Sequence, residues 1–256
     1  MSLTADTIKQ FAFKEGASLA GVASVENFPP SVPPRPPQKL LPSARTVIVL
    51  GLPMLTGGLI NNPRIAVAHT RTLYAELERI SYRIGLLIES EGYRAIPVNT
   101  SLPLEMSRET RGLVGDFSLK HAAVAAGLGV WGRSHLVLNP RWGPRVRYAA
   151  IITDAPLTAD APLLSDLCTD CNLCVEACPA GAISTDGKVA VTRCMLHLQP
   201  YYLTGFIRFI QGFMSKSAEE RQQALMEPAF WNLYQAVAFG FDYHCSECLT
   251  VCPVGL

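Results

Sequence analysis

The first 167 residues of this 256-residue chain contain no cysteine; all eight lie between Cys168 and Cys252. Charge is scarce as well, at 17% of residues, with 22 basic against 21 acidic side chains. That balance gives no overall bias towards nucleic acid or an anionic membrane. Long apolar runs are also missing: no uncharged stretch reaches the roughly 20 residues a membrane-spanning helix needs. The opening MSLTADTIKQFAFKEG has no basic flank, apolar run or small-residue cleavage site of an export signal. The expectation is a soluble cytoplasmic protein with no membrane span, in a compartment where thiols stay reduced. A chain this long buries a core without disulfides, so eight cysteines there point to metal or redox chemistry.

The step in cysteine content divides the chain into two expected units, residues 1–160 and 161–256, joined through DAPLTADAPLLSD at 154–166. Its prolines and small polar residues read as a connector. The first unit reads as α/β, with a helix at 4–15 capped by Thr4 or Asp6 and strands in ASLAGVASV and TVIVLGLPM. Between those strands, seven prolines from Pro29 to Pro42 exclude helix or sheet interior. Leu73, Leu77, Ile80, Ile84 and Leu87 recur at the spacing of one helix face, predicting a long helix from about His69 to Glu91 that Gly92 ends. YRAIPV, LVLN and VRYAAIIT are predicted strands, and FSLKHAAVAAG a short helix with Asp116 as its cap.

The stretch CTDCNLCVEACP, from Cys168 to Pro179, has the spacing C-x2-C-x2-C-x3-C-P. Disulfides between such neighbours would close small strained rings. Zinc needs only four ligands and gains nothing from the further cysteines. The run is the bacterial ferredoxin pattern, in which three thiolates wrap one [4Fe-4S] cube and the fourth reaches another. Cys178 therefore needs three partners, and the first cube lacks one corner. Assigning Cys178, Cys194, Cys245 and Cys248 to one cube leaves Cys252, in CSECLTVCP, to join Cys168, Cys171 and Cys174. Eight thiols make two closed sets with none left over. Cys178 is expected to start a helix and point away from the first cube.

GLGVWG at 127–132 matches G-x-G-x-x-G, but a dinucleotide site needs a strand before it and a helix after it, and here a helix precedes. The order KLLPSARTVIVLGLP, SEGYRAIPV, DFSLKHAAVAAGLGVWGRSHLVLNPRWGPRVRYAAIITDAPL and the two cysteine runs resembles the iron-sulfur core shared by epoxyqueuosine reductases and reductive dehalogenases. AGLGVWGRSHLVL and the cysteine array are its most specific parts. The resemblance implies a nitroreductase-like corrinoid-binding α/β domain followed by a ferredoxin-like domain with two [4Fe-4S] clusters. It implies electron passage through the clusters to a corrinoid (cobalamin) or substrate site, with Gly127, Gly129, Trp131, Gly132 and Arg133 against the corrinoid. Glycines there allow close backbone approach; a tight helix-to-strand turn is the alternative use for them. Asp116 is the nearest candidate for the family's catalytic proton donor, but it stands closer to the glycine loop than in relatives, and Ser118-Leu119-Lys120 lacks the histidine of the S-H-K that short relatives carry, with His121 following it.

The family's tRNA-binding helical extension has no counterpart after Leu256, so nucleic acid is not the expected partner. The expected partners are an electron-donating redox protein and a small-molecule or corrinoid substrate. Arg141, Arg145 and Arg147 read as a solvated strand end, and Tyr74, Tyr82 and His69 as packing residues of the long helix. His244, beside Cys245, is placed to hydrogen-bond a cluster. The run YYLTGFIRFIQGFM, 201–214, reads as a helix shielding the second cube. The leading expectation is thus an iron-sulfur, corrinoid-linked reductase. Its alternatives are a ferredoxin-like carrier without a catalytic site and a tRNA epoxyqueuosine reductase proper.

Overall fold

The computed structural model describes residues 3–28, 36–59, 63–101, 104, 107–108, 114–198, 203–240 and 245–256. Residues 29–35 of the proline-rich loop, His244, and residues 201–202 of the aromatic run lie outside them. In chain order the first elements are α1 (Ala5–Lys14), β1 (Leu19–Ser24), α2 (Pro37–Leu40), β2 (Thr46–Pro53), α3 (Thr56–Leu59), α4 (Pro63–Ser90) and β3 (Ala95–Val98). Then come α5 (Leu119–Ala125), β4 (Val130–Trp131), β5 (Val137–Leu138) and β6 (Val146–Thr153). The cysteine-bearing half carries α6 (Leu173–Glu176), α7 (Val191–Leu198), α8 (Leu203–Met214), α9 (Ala218–Met226), α10 (Pro228–Phe239) and α11 (Glu247–Thr250).

The main sheet runs β1-β2-β6-β3 with every neighbouring pair antiparallel. Alternation along its two central strands splits the core into two. Ile48 and Leu50 of β2 and Ala149 and Ile151 of β6 meet Ile8 of α1 and Leu77, Ile80, Ile84 and Ile88 of α4. Val47 and Val49, with Ala150 and Ile152, face Ala122, Ala123 and Ala126 around α5. Both faces are covered, which is why TVIVLGLP is buried without a polar face. The small alanines of α5 let it lie close to the strands.

α1 starts at a Thr4 capping box, and Gly92 stops the α4 turn with φ +87. α4 begins at Pro63, six residues before the expected start, and its last fully buried residue is Ile88 rather than Leu87. The cap of α5 also differs from expectation: Ser118, not Asp116, accepts from the His121 backbone N–H. Serine sits at the last extended residue before the helix, whereas Asp116 lies two residues too early for its carboxylate to fill that role.

Candidate metal centre

From Asp154 to Asn172 the chain has no helix or strand. Asp170 (φ 54) and Asn172 (φ 62) both take the left-handed conformation, which short polar side chains tolerate best. Two such reversals turn Cys168, Cys171 and Cys174 towards a common point. They line one hollow together with Cys252, and Gly132, Arg133 and Asp170 complete part of its wall. It is a narrow slot of about 30 Å³ beside the exposed Cys171. Cys178, Cys194, Cys245 and Cys248 line a second hollow of about 270 Å³, whose wall includes Lys120, His135 and Arg147.

Cys178 does not start a helix. It follows α6, which carries Cys174 and is closed by Ala177. α6 packs against α11, the short helix bearing Cys248, and Cys194 comes from α7. α8 does not shield the second hollow; none of its described residues lines it. Instead Phe209 of α8 packs on Phe230 of α10 with centroids 5.4 Å apart.

A buried cation fastens the end of the chain to this place. Arg145 is only 3% exposed, so it is not part of a solvated strand end. Its Nη1 donates to the carbonyls of Leu249 (3.0 Å) and Cys252 (2.9 Å), and its Nη2 to that of Val254 (2.5 Å). Next to it, Gly143 has φ +54, and a Cβ there would stand 1.9 Å from the Val254 carbonyl oxygen. The buried Asn139 ties this turn to the glycine loop by donating to the Leu128 carbonyl at 2.7 Å and accepting from the Arg141 N–H at 3.0 Å. The signal for Arg145 was its neighbour Gly143 within a turn, and charge alone concealed it.

The thiols crowd one another. Burial pushes Cys248 up to about 12, with Cys245, Cys194 and Cys178 adding to the shift. Burial likewise raises Cys174 and Cys252, helped by thiols of the first set, while Arg145 lowers Cys252. Four thiols in so small a space cannot all ionise unless a positively charged core neutralises them. Among the described residues, no group of three His, Cys, Asp or Glu side chains is spaced to hold a single metal ion. Four sulfurs around a hollow suit a multi-atom cluster, and the two donor sets are all thiol, as [4Fe-4S] ligation requires. The Ala182 N–H donates to Cys178 Sγ at 3.3 Å, the kind of bond that tunes a cluster.

The glycine loop is occupied by protein. A Cβ on Gly127 would lie 2.3 Å from the Ala161 carbonyl oxygen, one on Gly129 2.5 Å from that of Leu138, and one on Gly132 2.9 Å from the Leu138 side chain. Arg133 pairs with Asp170 of the first cysteine loop at 2.7 Å, and this guanidinium holds the Asp170 carboxyl below its usual range. Trp131, 38% exposed, meets His121 edge-on at 4.8 Å between centroids. Asp116 is half-buried just ahead of α5. These residues thus join the α/β unit to the cysteine loop. Tyr82 is exposed at 62%, and His69 accepts a hydrogen bond from the Leu55 N–H at 2.9 Å.

A family model for the 4Fe-4S binding domain matches residues 162–184. A tetrachloroethene reductive dehalogenase of Dehalobacter restrictus is 31% identical over 134 residues, 50% of this chain and 22% of that protein. The epoxyqueuosine reductase of Listeria monocytogenes is 32% identical over 139 residues, 54% of this chain and 30% of that enzyme. That of Bacillus cereus is 23% identical over 85% of this chain and 50% of its own length. The chain therefore spans half or less of these relatives. Its fold matches an epoxyqueuosine reductase solved with an epoxyqueuosine-modified tRNA-Tyr stem loop (TM-score 0.62, 19% identity, 98% of this chain and 64% of that one). It also matches a catabolic reductive dehalogenase solved with 3-bromo-4-hydroxybenzoic acid (TM-score 0.64, 17% identity, 98% and 32%). Among the described residues no helix is long and apolar enough to cross a membrane.

Proposed function

We propose that this chain is an iron-sulfur oxidoreductase related to the epoxyqueuosine reductases and reductive dehalogenases, and that it carries electrons through two [4Fe-4S] clusters to a small acceptor on residues 1–160. The observation that carries the reading is the division of the thiols. Cys168, Cys171, Cys174 and Cys252 surround one hollow, and Cys178, Cys194, Cys245 and Cys248 another. Each set would hold one cluster, which when bound supplies one-electron transfer. The chain's own residues do the remaining work. Arg145 holds the Cys252 segment in place, and Arg133 anchors the first cysteine loop through Asp170. Lys120 and Arg147 stand in the wall between the second hollow and a neighbouring cavity of about 280 Å³.

That cavity lies just below the range of pockets for drug-sized ligands, about 300–1,000 Å³, which supports an acceptor smaller than a corrinoid. Anaerobically reconstituted protein should contain about eight iron atoms and retain no corrinoid after desalting from hydroxocobalamin. Zinc without iron would reject the clusters; a retained corrinoid spectrum would reject the small acceptor. A second reading, action on epoxyqueuosine-containing tRNA, follows from the likeness to the enzyme solved with a tRNA stem loop. Turnover of that RNA by the reduced protein would establish it over the first. The near-balanced charge gives it less support.

A further inference from the structure

None of the described residues of α8 lines either thiol hollow, and half of the apolar surface of this helix has no partner. At about 3.6 residues per turn, Leu203, Ile207, Ile210 and Met214 fall on one stripe, and all four are exposed, from 37% at Ile210 to 70% at Met214. The phenylalanines stand beside the stripe, where Phe209 meets Phe230 of α10, and the buried Gly205 stands opposite it. α10 is built in the same way. Its buried Leu233 and Ala236 face inward, Ala236 against Val67 of α4, while Trp231 and Tyr234 on the far side are exposed. The two helices together present an apolar outer surface, aliphatic on α8 and aromatic on α10.

The charge along this segment has one sign. From Gly187 to Ala218 the chain carries four Lys or Arg residues and no Asp or Glu. Lys188 is paired with Asp186, and Arg193 donates to the Gly181 carbonyl. Arg208, on the polar flank of α8, and Lys216, just past its end, are exposed, and among the described residues no carboxylate pairs with either. The next acids, Glu219 and Glu220, open α9, where Glu220 closes the capping box of Ser217. An exposed aliphatic stripe flanked by basic residues, with Trp and Tyr beside it, is the arrangement of a helix that lies in the headgroup layer of a bilayer. Self-association fits this surface less well, because a two-fold contact would set an acid-free segment against its own copy.

We propose that the outer face of α8, with Trp231 and Tyr234 of α10, docks this protein on the surface of a membrane containing anionic lipid, the stripe entering the acyl boundary while Arg208 and Lys216 meet the headgroups. The docking goes beyond the electron-transfer reading and does not rest on it.

The test is co-sedimentation of the reconstituted holoprotein with vesicles of phosphatidylcholine alone and of phosphatidylcholine mixed with phosphatidylglycerol, iron content being measured on each sample. Partitioning onto the mixed vesicles is expected to exceed that onto phosphatidylcholine by at least about tenfold, each cation near the anionic surface contributing about fivefold, and to fall as salt is raised. Ile210→Glu, which puts a charge into the stripe, should weaken binding to the mixed vesicles at least about tenfold, and Arg208→Gln about fivefold. Both positions are exposed, so thermal unfolding should be unchanged in the two variants. No binding to the mixed vesicles, equal binding to both kinds, or an unaltered affinity in either variant would each overturn the proposal. So would a dimer in sedimentation velocity that Ile210→Glu dissociates while vesicles bind nothing, which would give the stripe to a second copy. Such a result in protein with its full iron content would leave the two-cluster reading standing. Absent iron with selective binding to the mixed vesicles would do the reverse.

Discussion

Replacing Arg145 with methionine keeps most of the buried volume and removes one guanidinium that serves three carbonyls. Hydrogen bonds from a charged donor are worth about 1.5–3 kcal/mol each, and orphaned buried acceptors cost a comparable amount. Against the loss stands the recovered cost of dehydrating a guanidinium that is 3% exposed. The net expectation is about 3–5 kcal/mol, the range found when one partner of a buried charged contact is removed. That penalty falls on the docking of residues 249–254, because all three acceptors lie there. At the lower figure the open form of this segment becomes about 150-fold more populated. Hydrogen exchange of the iron-free protein reads this directly: its amides should exchange faster by about two orders of magnitude, while those of the β2–β6 pair stay protected. After reconstitution the first set should lose iron preferentially, since in the proposed assignment Cys252 is its distal ligand. Arg141→Ala is the control, because Arg141 is exposed and its guanidinium stacks on Trp142 at 4.8 Å. Exchange in Arg145→Met no faster than in this control, with the same iron content, would refute the reasoning.

The crossed assignment predicts that Cys252→Ser and Cys178→Ser damage different clusters although both residues precede a proline in the same local pattern. Paramagnetic resonance of the reduced proteins should show one unaltered signal in each variant, and a different one in the two; loss of the same signal from both would refute the partition. In iron-free protein the raised Cys248 pKa, about 12, makes a signed prediction. Below the unfolded thiol value, near 8.5, both states hold the proton and stability is intact. As pH rises from there towards 12 the unfolded chain ionises first, so stability falls by about 1.4 kcal/mol per unit for this one group. Thermal unfolding of the iron-free protein between pH 8 and 11 checks it; a flat melting temperature would contradict the buried, crowded thiol.

Local patterns carried much of the architecture. The apolar spacing of α4 was visible because one face of a long helix repeats five times, and the uninterrupted β-branched run of β2 reported a strand covered on both sides. The grouping of the thiols by hollow follows the division suggested by counting, because spacing constrains sulfurs tightly. What local patterns could not carry was anything decided by distant partners. Arg145 looks like any charged residue near a strand until the last eight residues of the chain fold over it. Ser118 and Asp116 are equally good caps by residue type, and only the point where the backbone turns helical separates them. Tyr74 and Lys120 are 46 residues apart and yet line one cavity. The glycines of the loop read equally as a cofactor platform or as a turn; their neighbours, Ala161 and Leu138, are protein.

The two cysteine runs are related by more than composition. Cys174 lies in α6 and Cys248 in α11, and these short helices pack against each other. From each, the next cysteine is four residues on and belongs to the opposite set, Cys178 to the second hollow and Cys252 to the first. Neither hollow is therefore closed by one run alone. The first three cysteines of the leading run need the final segment, while the second hollow needs Cys178 and a further thiol from α7. Such an exchange makes assembly of the centre depend on the chain end being docked, and the docking surface is supplied by the α/β unit through Gly143 and Arg145. Sheet, turn and metal centre then form one cooperative unit: weakening the turn after β5 should loosen the thiols of both sets without touching a sulfur.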